Sequence, residues 1–188
     1  KAAYKIGGQL NMRKPKETSS FMENQQAHSN SKSLPKHLDP AETEFDLFQS
    51  PFYLIAHADF KYHEDLDKAI AKFGLDRATY RLLTVLMRVQ DVNIKSLSEL
   101  SLLKRTTASR ALERMRKEGW VQLNPNINDN RIMDVHLTDS GKKLAERVMK
   151  LGGRQLSRAV EGLNEDQLNQ LVALLLYLVR NLSKLPIE

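Results

Sequence analysis

Between residues 104 and 137 the apolar period of the chain switches from about 3.6 residues to about 2, and no single element can carry both. The first half is KRTTASRALERMRKEGW, residues 104–120. Wound at about 100° per residue, Ala108, Ala111, Leu112 and Met115 share one arc, and Thr106, Ser109, Arg110, Glu113, Arg114 and Lys117 share the opposite one. Thr106 is the expected N-cap and Gly119 the expected left-handed stop. The second half, WVQL, NPNINDN and RIMDVHL, reads as two strands around a polar turn. Met133, Val135 and Leu137 alternate on one face with Ile132, Asp134 and His136 on the other. An amphipathic helix running straight into a β-hairpin predicts a mainly α fold with a small β-hairpin wing, an α+β arrangement.

The flanking segments supply the helices. Ser50-Pro51 opens a first helix that ends at Gly74. A second starts at Asp76 and carries Tyr80, Leu83, Val85, Leu86 and Val89. A third is short, SLSELSLL at 96–103, with Ser96 and Glu99 at capping-box spacing. Thr138 is the expected cap of a fifth helix with a bend at Gly152-Gly153, and Asn164 with Gln167 caps a sixth that ends near Leu185. Residues 1–40 are rich in Ser, Asn, Gln, Lys and Pro, and read as a disordered tail. If Met12 or Met22 is a native start, part of that tail is foreign to the native protein. The expected organisation is therefore a tail over 1–40, a helical dimerisation region over 41–74 and 139–188, and a winged helix-turn-helix over 75–138.

Short helix, basic helix and hairpin in that order suit double-stranded DNA. Residues 104–120 hold six basic side chains against two acidic ones, within a chain of net charge +6. The major groove admits one α-helix, and its base edges are read by Arg, Ser, Thr and Asn. Lys104, Thr106, Thr107, Ser109, Arg110 and Arg114 offer those types on the outer arc and at its start. Short hydroxyl residues near a helix N-terminus let backbone amides approach phosphate. Arg131, at the hairpin tip, can reach the adjacent minor groove. The competing reading is a solvated basic face, or a winged helix that binds only protein.

The stretch LSELSLLKRTTASRALERMRKEGWVQLNPNINDNRIMDVHLTDSGKKL resembles the winged-helix core of the MarR family of transcriptional regulators. The marks are TTASR in the basic helix, KEGWV at its exit, DNR in the wing and LTDSG entering the next helix. The resemblance is strong over about residues 80–150 and does not cover the first forty. It implies a homodimer on a pseudo-palindromic operator, regulation by a small-molecule effector, and a wing motif in which Asp129 orients Arg131. Residue 130, often basic in the family, is Asn130 here.

The last helix supports dimerisation on its own evidence. Leu168, Leu171, Val172, Leu174, Leu175, Leu176, Leu178, Val179 and Leu182 cover more than one face, so several sides need burying. The alternative is a central core helix. On the first helix, Tyr53, His57, Phe60 and His63 combine aromatic walls with polar tips, as an effector pocket for an aromatic acid or phenol would. Simple packing at a dimer interface would account for them equally. The five histidines show no metal-ligand spacing and cysteine is absent, so no metal site and no cofactor are expected; a metal-responsive regulator is the rival. No Gly-rich phosphate loop, HExxH or GxSxG points to an enzyme. The longest strongly apolar run, 171–179, is too short to span a bilayer, and a cytoplasmic protein is expected.

Overall fold

A computed structural model describes residues 33–89, 92–126, 129 and 131–183. Most of the expected tail, 1–32, lies outside the described residues. Residues 33–40 are ordered: a 3-10 turn at Lys36–Leu38 returns its His37 carbonyl to the Asp46 N–H at 2.9 Å. The chain then forms α1 (Pro51–Ala71), α2 (Arg77–Leu86), β1 (Val92–Asn93), α3 (Ile94–Leu100) and α4 (Arg105–Lys117). It continues through β2 (Val121–Pro125), β3 (Met133–Leu137), α5 (Asp139–Ala159) and α6 (Glu165–Leu182).

Two compact units divide the chain, one over His57–Ala159 and one made of the segments on either side. The larger unit therefore takes most of α1, from His57 on, and all of α5, beyond the 75–138 expected for the winged helix-turn-helix. The reason is packing. Leu66 and Ile70 of α1 and Ala145 and Val148 of α5 are buried in one core with Leu82, Leu83, Leu97, Leu112 and Met115. In the other unit α6 begins with a reciprocal capping box, in which Asn164 accepts the Gln167 N–H and the Gln167 side chain accepts the Asn164 N–H. No residue of α6 is buried.

Four local expectations are corrected. The hairpin is a three-stranded antiparallel sheet in the order β1-β3-β2, with Val135 facing both Val92 and Leu123. Asp134 and Val135 are both buried, because β3 is central, while Met133 sits beside Pro125 toward the tip and is half-exposed. The cap of α3 is Asn93, whose side chain accepts the Ser96 N–H at 3.0 Å. Strand pairing to Asp134 holds Asn93 extended, so the helix starts before Ser96 can act as its cap. Thr106 does not cap α4: the N-cap position is Lys104, and no side chain caps it.

The cap at Thr138 is as expected, its hydroxyl accepting the Gly141 N–H at 3.1 Å. Helix α5 runs on through Gly152-Gly153. Gly152 serves close approach, since a Cβ there would stand 2.1 Å from the Tyr80 hydroxyl oxygen.

Candidate nucleic-acid interface

Helix α4 buries Ala108, Ala111, Leu112 and Met115, the stripe expected of it, and turns its basic face outward. Lys104, Thr106, Thr107, Ser109, Arg110 and Arg114 are all exposed. The turn before it is closed by the Leu103 N–H donating to the Ser98 carbonyl at 2.9 Å, and it places Leu102 in the left-handed region at φ 53°. This turn brings the Lys104 carbonyl to the Ala108 N–H at 3.0 Å and sets where the helix begins. With no side chain on the first-turn amides, the N-terminal end of α4 is open to an anion.

The two arginines of the outer arc differ. Arg110 has no hydrogen bond or ion pair among the described residues. The Arg114 guanidinium donates to Asp76 Oδ2 at 2.5 Å and to Thr79 Oγ1 at 3.2 Å. Burial pushes the Asp76 carboxyl up. The Arg114 guanidinium and the Thr79 amide and hydroxyl together outweigh that and hold it below the usual carboxylate range. Further along the helix, Arg116 donates to Glu113 at 3.0 and 3.2 Å, which lowers the Glu113 carboxyl and raises the Arg116 guanidinium.

The wing tip is built from backbone bonds to side chains. Asn126 Oδ1 accepts the Asp129 N–H at 3.2 Å, and Asp129 Oδ1 accepts the Arg131 N–H at 2.9 Å. The Ile132 N–H donates to the Asp129 carbonyl at 2.9 Å. Asp129 and Arg131 are both exposed. Asp129 thus sets the Arg131 backbone, which is a different means of orienting it from a carboxylate–guanidinium pair. Residue Asn130 lies outside the described residues. Asn126 also donates to Asp134 Oδ2 at 2.6 Å, while Asp134 Oδ1 is buried without a partner among the described residues. Sequence reasoning singled out none of Asp76, Asn126 and Asp134 as a site residue. Only Asp76 had a local signal, as the residue opening a helix.

The four residues singled out on α1 have different surroundings. His63 is buried, its Nδ1 lying 2.9 Å from the Asp59 carbonyl and its ring edge-on to Tyr62. His57 and Phe60 are exposed, with Lys61 Nζ 5.8 Å from the Phe60 ring centre. Tyr53 is half-buried, edge-on to Phe48 with centroids 5.4 Å apart. Among the described residues no three His, Asp or Glu side chains gather as a metal site, and no helix is long and apolar enough to cross a membrane.

Two helices joined by a tight turn, the second basic and outward-facing, and a small sheet behind them define a winged helix-turn-helix DNA-binding protein. The sequence profile of the MarR family matches residues 73–132. The chain is 28% identical over 162 residues to the HTH-type transcriptional repressor IacR of Pseudomonas putida, covering 86% of this chain and 97% of that one. It is 28% identical over 129 residues to the transcriptional repressor MprA of Escherichia coli K12, 65% of this chain and 73% of the other. A MarR-family regulator from Silicibacter pomeroyi has the same fold, with a TM-score of 0.70 at 24% identity over 77% of this chain and 97% of that one. Over its winged helix-turn-helix the chain is thus similar to the DNA-binding transcriptional regulators of the MarR family.

Proposed function

We propose that this regulator is a homodimeric repressor that reads a pseudo-palindromic operator and releases it on binding a small ligand. The observation that carries the dimer is α6. In a single chain none of its residues is fully buried, and Leu171, Val172, Leu174, Leu175, Val179 and Leu182 are between 37% and 65% exposed. A helix apolar on several sides needs a cover, and a second copy offers the same surface in return. Phe48, Phe52 and Leu54 of the smaller unit are also exposed.

Repression is the reading favoured by the names of the relatives IacR and MprA, each called a transcriptional repressor. On the DNA, Thr106, Thr107, Ser109 and Arg110 face bases and phosphates of the major groove, and Arg131 reaches the minor groove. Lys104 stands where the helix begins, beside the open amides. Tyr53, His57 and Phe60 are the candidate ligand contacts, for an aromatic acid or a phenol. His63 is committed to the core, so its part in a ligand site is indirect.

The experiment is sedimentation equilibrium combined with titration of genomic fragments captured by the purified protein. A dimer should protect two half-sites about 10–10.5 base pairs apart, centre to centre. Leu171→Asp with Leu175→Asp should dissociate or unfold it. A folded monomer that binds one half-site at full affinity would sink the dimeric reading. A panel of aromatic acids and phenols that leaves operator affinity unchanged would sink ligand release.

A further inference from the structure

The outer arc of α4 carries Arg110 and, one turn later, Arg114. By position they are equivalent. By their partners they are not, because only Arg114 is held by an acidic side chain of another helix. We propose that Asp76 is a specificity-determining residue: it withholds Arg114 from the DNA backbone, so that the recognition helix meets its operator with one fewer sequence-independent contact. This rests on α4 being the DNA-facing helix.

Asp76 is suited to the task because it cannot follow Arg114. Its Oδ1 accepts both the Thr79 N–H at 2.8 Å and the Thr79 hydroxyl at 2.7 Å, as the N-cap of α2. Oδ2 takes the guanidinium, and Thr79 Oγ1 takes a second bond from the same Nη2. A carboxylate fixed by its cap bonds sets its partner in one place. To reach a phosphate, Arg114 must give up a charge-assisted bond. Both side chains are about half-exposed, so the exchange is open to solvent and the clasp biases it without forbidding it.

The consequence falls on discrimination. Phosphate contacts supply nearly all of the sequence-independent affinity, and base contacts supply the sequence information. Neutralising Arg114 while leaving Arg110 unpartnered lowers the first and spares the second. The ratio of operator binding to background binding rises, and that ratio governs occupancy in a genome.

Asp76→Asn separates the two jobs of the residue. Asparagine caps a helix about as well as aspartate but forms no ion pair. The full-length protein, Asp76→Asn, Arg114→Gln and the double variant are titrated with sheared genomic DNA and with a captured operator fragment, at several salt concentrations. Asp76→Asn should bind sheared DNA roughly three- to tenfold more tightly, with a log–log salt slope steeper by up to about 0.9 per recognition helix. Arg114→Gln should stay within about twofold of the parent on both DNAs. In the double variant the gain should vanish, because it acts through Arg114.

A gain that persists without Arg114 would be a general field effect of the lost charge, and would overturn the proposal. So would unchanged binding in Asp76→Asn. If Asp76→Asn fails to fold, Arg114→Gln alone decides: unchanged binding supports the clasp, and a loss of tenfold or more shows that Arg114 already contacts DNA. Absence of DNA binding by the unsubstituted protein would overturn the reading of α4 itself, which is a distinct failure.

Discussion

The Trp120 carbonyl oxygen lies where a Cβ on Gly141 would come within 2.0 Å of it. That oxygen also accepts the Thr138 N–H at 3.0 Å, and the neighbouring Gly119 carbonyl accepts the Thr138 and Ser140 hydroxyls at 2.6 and 2.8 Å. The exit of α4 and the entry of α5 are thereby tied backbone to backbone. Gly141→Ala should destabilise the protein by about 2–3 kcal/mol, since a backbone carbonyl cannot swing aside as a side chain can. Gly153, where an added Cβ would meet none of the described residues within 4 Å, is the contrast. Gly153→Ala should gain about 0.5–1 kcal/mol from helix propensity. Urea unfolding of the two variants checks both signs.

Leu102 holds φ 53° while 80% exposed, so its side chain contributes little packing to offset the left-handed backbone. Leu102→Gly should stabilise the fold by about 0.5–1 kcal/mol, the relief of strain less the entropy of a more flexible unfolded chain. Thermal unfolding reads it, and a lower midpoint would show that the leucine packs on something it needs.

Arg110 is exposed and unpaired among the described residues, and in the proposed reading it contacts a base. Arg110→Ala should lose about 1–3 kcal/mol of operator affinity and relax specificity at one position per half-site, with the fold intact. An equal loss on operator and scrambled DNA would mean a phosphate contact. No loss on either would remove the residue from the interface.

The bond from the Arg131 N–H to Asp129 Oδ1 makes the two simplest substitutions of Asp129 differ. Asn can still accept that amide, so Asp129→Asn should keep operator affinity within about twofold, whereas Asp129→Ala should approach the loss seen in Arg131→Ala. The double variant of Asp129→Ala with Arg131→Ala should not be additive. If Asp129→Asn and Asp129→Ala lose affinity equally, the charge of Asp129 matters and the backbone bond does not.

The Asp76 carboxyl is held below its ordinary range in the folded protein. Its contribution to stability is therefore full above the unfolded value, about pH 4, and is lost as pH falls through the lower folded value. Acid unfolding of the parent should include this limb. Asp76→Asn should remove it and leave the rest of the profile, as circular dichroism against pH would record.

Periodicity and short-range bonds were enough to place α4, its buried stripe, the Thr138 cap and the Asn164–Gln167 capping box. Each is decided within one or two turns of chain, where the partners are neighbours in sequence. The exposed face of α4 followed from the same wheel, since whatever is opposite the buried stripe must face outward.

Partners distant in sequence decided the rest. Strand β1 is two residues long and has no period to read; it exists because β3 offers it an edge, and that pairing moved the cap of α3 from Ser96 to Asn93. Gly141 and Gly153 look alike in a helix of 21 residues, yet a carbonyl from another element stands against only one of them. Arg110 and Arg114 lie on one face of one helix, and what separates them is a carboxylate 38 residues away in sequence. A side chain's own period tells which way it points. What it meets there depends on which other elements the core has drawn together, and only the folded chain determines that.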